Sequence, residues 1–196
     1  MITLVDYHAG NLASVKKAFE HLGCQVEITE DPEVVRRAQY IVVPGVGHFA
    51  ATEQLARAGL TDVIHERIEQ DANFLGICVG MQWMFQGSTE APEVKGLGVL
   101  DGMIEKFPAG AKVPHVGWNQ IARRGSSRIL DGVDSPSFVY YTHSYRAPLV
   151  PETVGVTEYG SEFSGVVEKD NVFGIQFHPE KSGLAGLRML QNFSRL

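Results

Sequence analysis

Short apolar segments alternate with helical patterns through the first half of the chain. Ile2–Val5, Val26–Ile28, Tyr40–Val43 and Phe74–Ile77 read as strands. The spacing between them predicts helices over about Asn11–Leu22, just after Pro32, over about Phe49–Gln70, and again from about Val79. Strand, helix, strand in this rhythm predicts an α/β fold: a mostly parallel central sheet flanked by helices. The second half reads differently. "SFVYYTHSYRA", "TVGVTEYG", "FSGVVEKD" and "NVFGIQFHPE" are separated by turn residues with little room for helices, so additional antiparallel strands are expected there, in the same sheet or beside it. A last helix spans about Gly183–Phe193. No internal repeat, low-complexity tract or long linker divides the chain, and residues 1–196 are expected to form one domain.

Composition narrows the function classes. With 196 residues, 44% hydrophobic and 20% charged, the chain is of ordinary globular type. Its formal charge of −6 carries no basic block that would grip a phosphate backbone, which argues against nucleic acid as a partner. The two cysteines, Cys24 and Cys78, are far apart; this excludes a disulfide framework or zinc knuckle and fits a reducing compartment. Asp6 follows the first apolar residues almost at once, so the N-terminus reads as a strand rather than an export signal, and a cytoplasmic location is expected. No apolar run approaches the roughly 20 residues of a membrane span. No histidine, cysteine or carboxylate set has metal-ligand spacing, so neither metal nor cofactor is assigned.

Candidate chemistry centres on "NFLGICVGMQ". Cys78 falls where the strand Phe74–Ile77 gives way to the helix from Val79, in a G-x-C-x-G layout equivalent to the nucleophile elbow usually written with serine. Gly76 and Gly80 permit the sharp turn, and the helix N-terminus lends positive potential and free N–H groups beside the sulfur. Cys24 has no such turn and reads as a small core residue.

A cysteine nucleophile needs a proton carrier. His178 in "FGIQFHPEKS" is expected at a strand end, with Glu180 two residues on and pointing the same way, able to hold the imidazole in one tautomer. Pro179 would stop the strand and stiffen the pair. His143, in "YYTHSYRA", is the rival base, but no acid lies two residues away.

Four segments together resemble the class I glutamine amidotransferases: "PGVGHF" from Pro44, "GICVGMQ" from Gly76, "THSYRA" from Thr142 and "FGIQFHPEKS" from Phe173. Within that family, PGVG, "VPHVGWN" from Val113 and "DYHAGNLASV" from Asp6 are most similar to the glutaminase subunits of imidazole glycerol phosphate synthases, which act in histidine biosynthesis. His8 and Ala9 depart from the glycine-rich loop of many relatives, and Val79 stands where leucine is common.

The resemblance implies a mechanism. Cys78 would attack the glutamine carboxamide to give a thioester and ammonia, with His178 moving the proton and Glu180 orienting it. The oxyanion would rest on N–H groups of Val79 and of the Gly45–Val46–Gly47 turn. Gln82 and Glu90 would hold the glutamine head group, with Gly45 and the backbone near His143, Ser144 and Tyr145 completing the substrate site. It also implies a heterodimer with a (β/α)₈-barrel cyclase subunit that receives the ammonia, contacted through Asn11, Trp118, Tyr140 and Lys181. Two other readings stay open: a glutaminase serving a different acceptor, such as a chorismate-using synthase or a free γ-glutamyl hydrolase, and a non-catalytic regulatory subunit of the same fold.

Overall fold

A computed structural model describes all residues, 1–196. In chain order its first half runs β1 (Ile2–Val5), α1 (Leu12–His21), β2 (Val26–Thr29), α2 (Pro32–Val35), β3 (Tyr40–Gly45), α3 (Glu53–Arg57), α4 (Leu60–Glu69), β4 (Asn73–Cys78) and α5 (Val79–Trp83). The second half runs β5 (Gly87–Ser88), β6 (Ala91–Lys95), β7 (Met103–Lys106), β8 (His115–Arg123), β9 (Ser137–His143), β10 (Tyr145–Arg146), β11 (Thr153–Glu158), β12 (Glu162–Lys169), β13 (Val172–Ile175) and α6 (Gly183–Phe193).

Nine strands form one sheet in the order β2-β1-β3-β4-β13-β12-β11-β8-β9. The first five are mutually parallel and the rest antiparallel. A second sheet of four strands, ordered β10-β7-β5-β6, is built from the segments after α5 and from the end of "THSYRA". The inner parallel strands β1, β3, β4 and β13 are buried on both faces, as their continuous apolar runs require, while the edge strand β2 is half-exposed. Alternate residues divide between two cores. Val5, Ile41, Val43 and Phe74 pack with Leu55, Leu60 and Ile64, while Leu4, Val42, Leu75 and Ile77 pack with Phe19, Met189 and Phe193.

Two expectations need correction. The helical region predicted over Phe49–Gln70 is three pieces: a 3₁₀ turn at Phe49–Thr52, then α3 and α4, with Gly59 at φ 71° breaking the last two apart. An L side chain disfavours that left-handed conformation, so the periodic pattern could not run through it. β13 pairs antiparallel with β12 but parallel with β4, in register Gly174↔Gly76 and Ile175↔Ile77. Its segment therefore belongs to the parallel half as much as to the antiparallel extension. Turn signals on either side of a strand do not specify which neighbour it lies beside.

Candidate active site

Two adjacent strand ends carry the reacting groups. β4 ends at Cys78, whose φ of 54° and ψ of −108° place a non-glycine residue in a conformation L side chains rarely adopt. Such strain costs on the order of 1–3 kcal/mol and is held by what surrounds it. Here the flanking glycines do the holding. A Cβ on Gly76 would come within 2.5 Å of the Gly80 carbonyl oxygen, and one on Gly80 within 1.8 Å of the Val43 carbonyl oxygen. The start of α5 thus sits directly on β3 and β4, and no larger residue fits at either glycine.

The base follows β13. The ladder stops at Ile175, earlier than expected, and His178 has extended backbone that leads into a 3₁₀ turn at Pro179–Lys181. Glu180 reaches the imidazole from this turn rather than from a continuing strand: His178 Nδ1–H donates to Glu180 Oε1 at 3.0 Å. Their side chains are 2% and 0% exposed. This bond points Nε2, buried and without a hydrogen bond, away from the carboxylate. Burial alone would lower the His178 pKa, but the nearby Cys78 sulfur and the bonded Glu180 carboxylate outweigh it and raise the value to about 9. Nucleophile, imidazole and carboxylate are therefore coupled.

Cys78 opens onto a cavity of about 210 Å³ lined also by Gly47, Val79, Gln82, Glu90 and the segment Thr142–Tyr145. The larger groove of about 720 Å³ lies elsewhere, against β8 and β11, and contains no nucleophile. Gln82 Nε2 donates to the Tyr145 carbonyl at 3.0 Å and to Gln176 Oε1 at 3.1 Å, so both amide hydrogens are committed. Its Oε1 makes no bond within the protein. Glu90, on the short turn joining β5 to β6, accepts the Phe49 N–H at 2.8 Å through Oε2. These two groups offer acceptor oxygens on one side of the cavity. Beside Cys78 in the sheet lies Gly45, followed by exposed Val46 and by Gly47 at φ 97°. The N–H groups of Val46 and Gly47 make no backbone hydrogen bond. The first N–H of α5, from Val79, also has no partner inside the helix. Of these residues Gly47 and Val79 line the cavity with Cys78.

The rival His143 is a wall of this cavity and a poor base: burial and the neighbouring His115 and His178 push its pKa down to about 3, although a bond to the Tyr145 carbonyl works the other way. His8 adopts φ 63°, with its side chain exposed. Two site residues were not anticipated. Gln176 is fully buried and donates Nε2–H to Cys78 Sγ at 3.8 Å. Tyr7 is buried with an unpaired hydroxyl, and its pKa is pushed well up by burial and by the charge of Cys78. Only the motif "FGIQFHPE" hinted at the first, since Gln176 lies two residues before His178; nothing local marked the second.

Trp118 and Tyr140 are cross-strand partners on β8 and β9, their rings edge to face at 6.0 Å, and Lys181 Nζ stands 6.0 Å over the Tyr140 ring. With Trp118 56% exposed and Phe138 59% exposed, this outer face leaves aromatic surface uncovered. Asn11 lies apart from that cluster, at the start of α1. No group of three or more His, Cys, Asp or Glu side chains is arranged to hold a metal ion, and no helix is long and apolar enough to cross a membrane.

Comparison with known proteins agrees with this geometry. The chain is 44% identical over 198 residues to the imidazole glycerol phosphate synthase subunit HisH of Moorella thermoacetica, covering 100% of this chain and 94% of that protein. It is 45% identical to the HisH subunit of Aquifex aeolicus, covering 98% and 95%. In three dimensions it matches a crystal structure of a glutamine amidotransferase with a TM-score of 0.79 at 18% identity, covering 100% and 98% of the two chains. It matches the structure of PurLQS from Thermotoga maritima with a TM-score of 0.76 at 20% identity, covering 99% and 97%. At such identities these structures speak for the fold alone. The pattern of the family described as glutamine amidotransferase class-I spans residues 3–195, and the chain belongs to that family.

Proposed function

We propose that this chain is the glutaminase subunit of an imidazole glycerol phosphate synthase, a single cytoplasmic domain that releases ammonia from glutamine for a cyclase partner in histidine biosynthesis. The observation that carries the proposal is the coupling of His178 to both Glu180, bonded at 3.0 Å, and Cys78, whose sulfur opens onto a small polar cavity. Cys78 sulfur attacks the side-chain carboxamide of glutamine, and the oxyanion forms beside the N–H groups of Val46, Gly47 and Val79. His178 delivers its proton to the departing nitrogen, ammonia leaves, and a γ-glutamyl thioester remains. The same imidazole then draws a proton from water as hydroxide attacks the thioester, and glutamate and the free sulfur are regenerated. Glu180 keeps the His178 proton on Nδ1 and supports the cation between the two halves. Glu90 and Gln82 Oε1 are acceptors suited to the α-ammonium group of the substrate, and the backbone of Gly45 and of His143–Tyr145 borders the rest.

Ammonia set free in open water would be protonated or lost, so the partner must receive it directly. Its HisH relatives are named as subunits of a synthase. The exposed aromatic face around Trp118 and Tyr140, flanked by Lys181, has the chemistry of an interface anchor, with Asn11 as a further contact and a (β/α)₈-barrel cyclase as the occupant. The test is a glutaminase assay on the chain alone, with the cyclase subunit, and with the cyclase plus its nucleotide ligand. Little hydrolysis alone, a large rise in the liganded complex and none with Cys78→Ala are the expected results. Ready hydrolysis by the isolated chain, indifferent to the cyclase, contradicts the proposal.

A further inference from the structure

From the cavity wall a chain of buried and half-buried polar groups runs outward through His115 to Asn119, two residues that the proposed mechanism does not use. Asn119 Nδ2 donates to the Glu158 carbonyl at 3.0 Å while its Oδ1 accepts the Gln120 N–H at 2.7 Å, so two backbone groups fix the orientation of the amide. The same Nδ2 lies 3.3 Å from His115 Nε2. His115 Nδ1 lies 3.0 Å from His143 Nε2. His143 Nδ1 lies 2.8 Å from the Tyr145 carbonyl oxygen, which also receives Gln82 Nε2–H.

The two ends determine every proton between them. An amide nitrogen only donates, so His115 Nε2 accepts; a carbonyl oxygen only accepts, so His143 Nδ1 carries hydrogen. With both rings neutral, one arrangement satisfies the middle contact: His115 Nδ1–H donates to His143 Nε2. Neutrality is what the surroundings favour, because burial lowers the His115 pKa to about 4 and that of His143 to about 3. His115 is itself held rigidly, stacked between the rings of Tyr159 at 3.9 Å and Tyr141 at 4.7 Å. Were His143 to take the other tautomer, its Nδ1 lone pair would face the Tyr145 oxygen and repel it.

We propose that His115 is a positioning residue for the amino-acid substrate: its Nδ1–H binds the His143 Nε2 lone pair and so holds the ring whose own Nδ1–H grips the Tyr145 carbonyl, which in turn orients Gln82 with Oε1 free for the ligand. The effect falls mainly on binding, because no member of this chain bonds Cys78 or His178 directly: the sulfur is reached only by the further contacts from Gln82 to Gln176 and from Gln176 to Sγ. The inference rests on the glutaminase reading for the identity of the substrate, but its first test does not. Two-bond ¹H–¹⁵N correlations on the labelled wild-type chain report which imidazole nitrogen bears hydrogen. His115 and His143 are both expected as Nδ1–H tautomers, and finding His143 protonated on Nε2 overturns the proposal. In the complex with the cyclase, His115→Phe keeps the stacking but removes the donor; KM for glutamine should rise about tenfold or more while kcat stays within about threefold. His115→Gln, which restores an N–H toward His143, should recover most of the loss. An unchanged KM in His115→Phe, or a fall in kcat alone, overturns the proposal. Should His115→Phe fail to fold, the wild-type tautomer and the KM of His115→Gln decide. An inactive wild-type complex would instead refute the glutaminase reading and leave the tautomer result standing.

Discussion

Replacing Gly80 by alanine sets two physical effects against each other. Gly80 lies inside α5, where alanine is favoured over glycine by about 1 kcal/mol on helix propensity alone. Sterically the change is severe: the new Cβ would lie 1.8 Å from the Val43 carbonyl oxygen and 2.9 Å from the Val43 carbonyl carbon. Carbon–oxygen contacts begin near about 3.3 Å, so α5 and β3 must part by roughly 1.5 Å. Overpacking on this scale costs about 1–3 kcal/mol, which outweighs the propensity gain and lowers the melting midpoint by a few degrees. Activity suffers more. The displaced turn carries Cys78 and the Val79 N–H, and a misplacement of about 1 Å costs on the order of 10² in rate. The assay is coupled detection of glutamate from the cyclase complex, beside thermal unfolding of the chain alone. Gly10→Ala is the control, since its nearest neighbour would be the Pro44 carbonyl oxygen at an ordinary 3.5 Å. A Gly80→Ala variant with the wild-type midpoint and rate would refute the claim that helix and strand are in contact through this glycine.

The remaining predictions concern the base and the outer face. His178 has a folded pKa of about 9 against an unfolded value near 6.5, so its protonated form contributes stability fully below about pH 6.5 and loses it as pH rises through 9. The contribution is on the order of 3 kcal/mol. Glu180→Gln removes one of the two groups that raise this pKa, so melting curves from pH 6 to pH 10 should begin their alkaline decline earlier than in the wild type; superimposable profiles would count against the coupling. Trp118→Ala should change the stability of the isolated chain by less than about 0.5 kcal/mol, because the ring is 56% exposed. It should weaken cyclase binding about tenfold or more by calorimetric titration. Equal affinity would remove Trp118 from the interface.

What the sequence disclosed and what it withheld follow a physical division. The elbow was legible because Gly76, Cys78 and Gly80 are neighbours, and the requirement for small residues on both sides of a sharp turn is local. The parallel half was legible for a similar reason: β1, β3 and β4 are short apolar runs separated by helical spacing. The site's lining was only partly so. Gln176 touches Cys78, and His115 touches His143, through strand pairings between distant segments, and no period in the chain encodes which strand lies beside which. Glu180 was assigned correctly as the partner of His178 but through the wrong local geometry, since a proline-initiated turn and an extended strand can each bring residues two apart together. The break at Gly59 was missed because one glycine in a periodic stretch is usually tolerated.

β13 has a consequence for synthesis. It enters between β4 and β12, bringing the imidazole beside a sulfur made about half a chain earlier. Until this strand leaves the ribosome and takes its place, the polypeptide has a nucleophile but no base. A nascent or truncated product lacking it would therefore be inert toward glutamine.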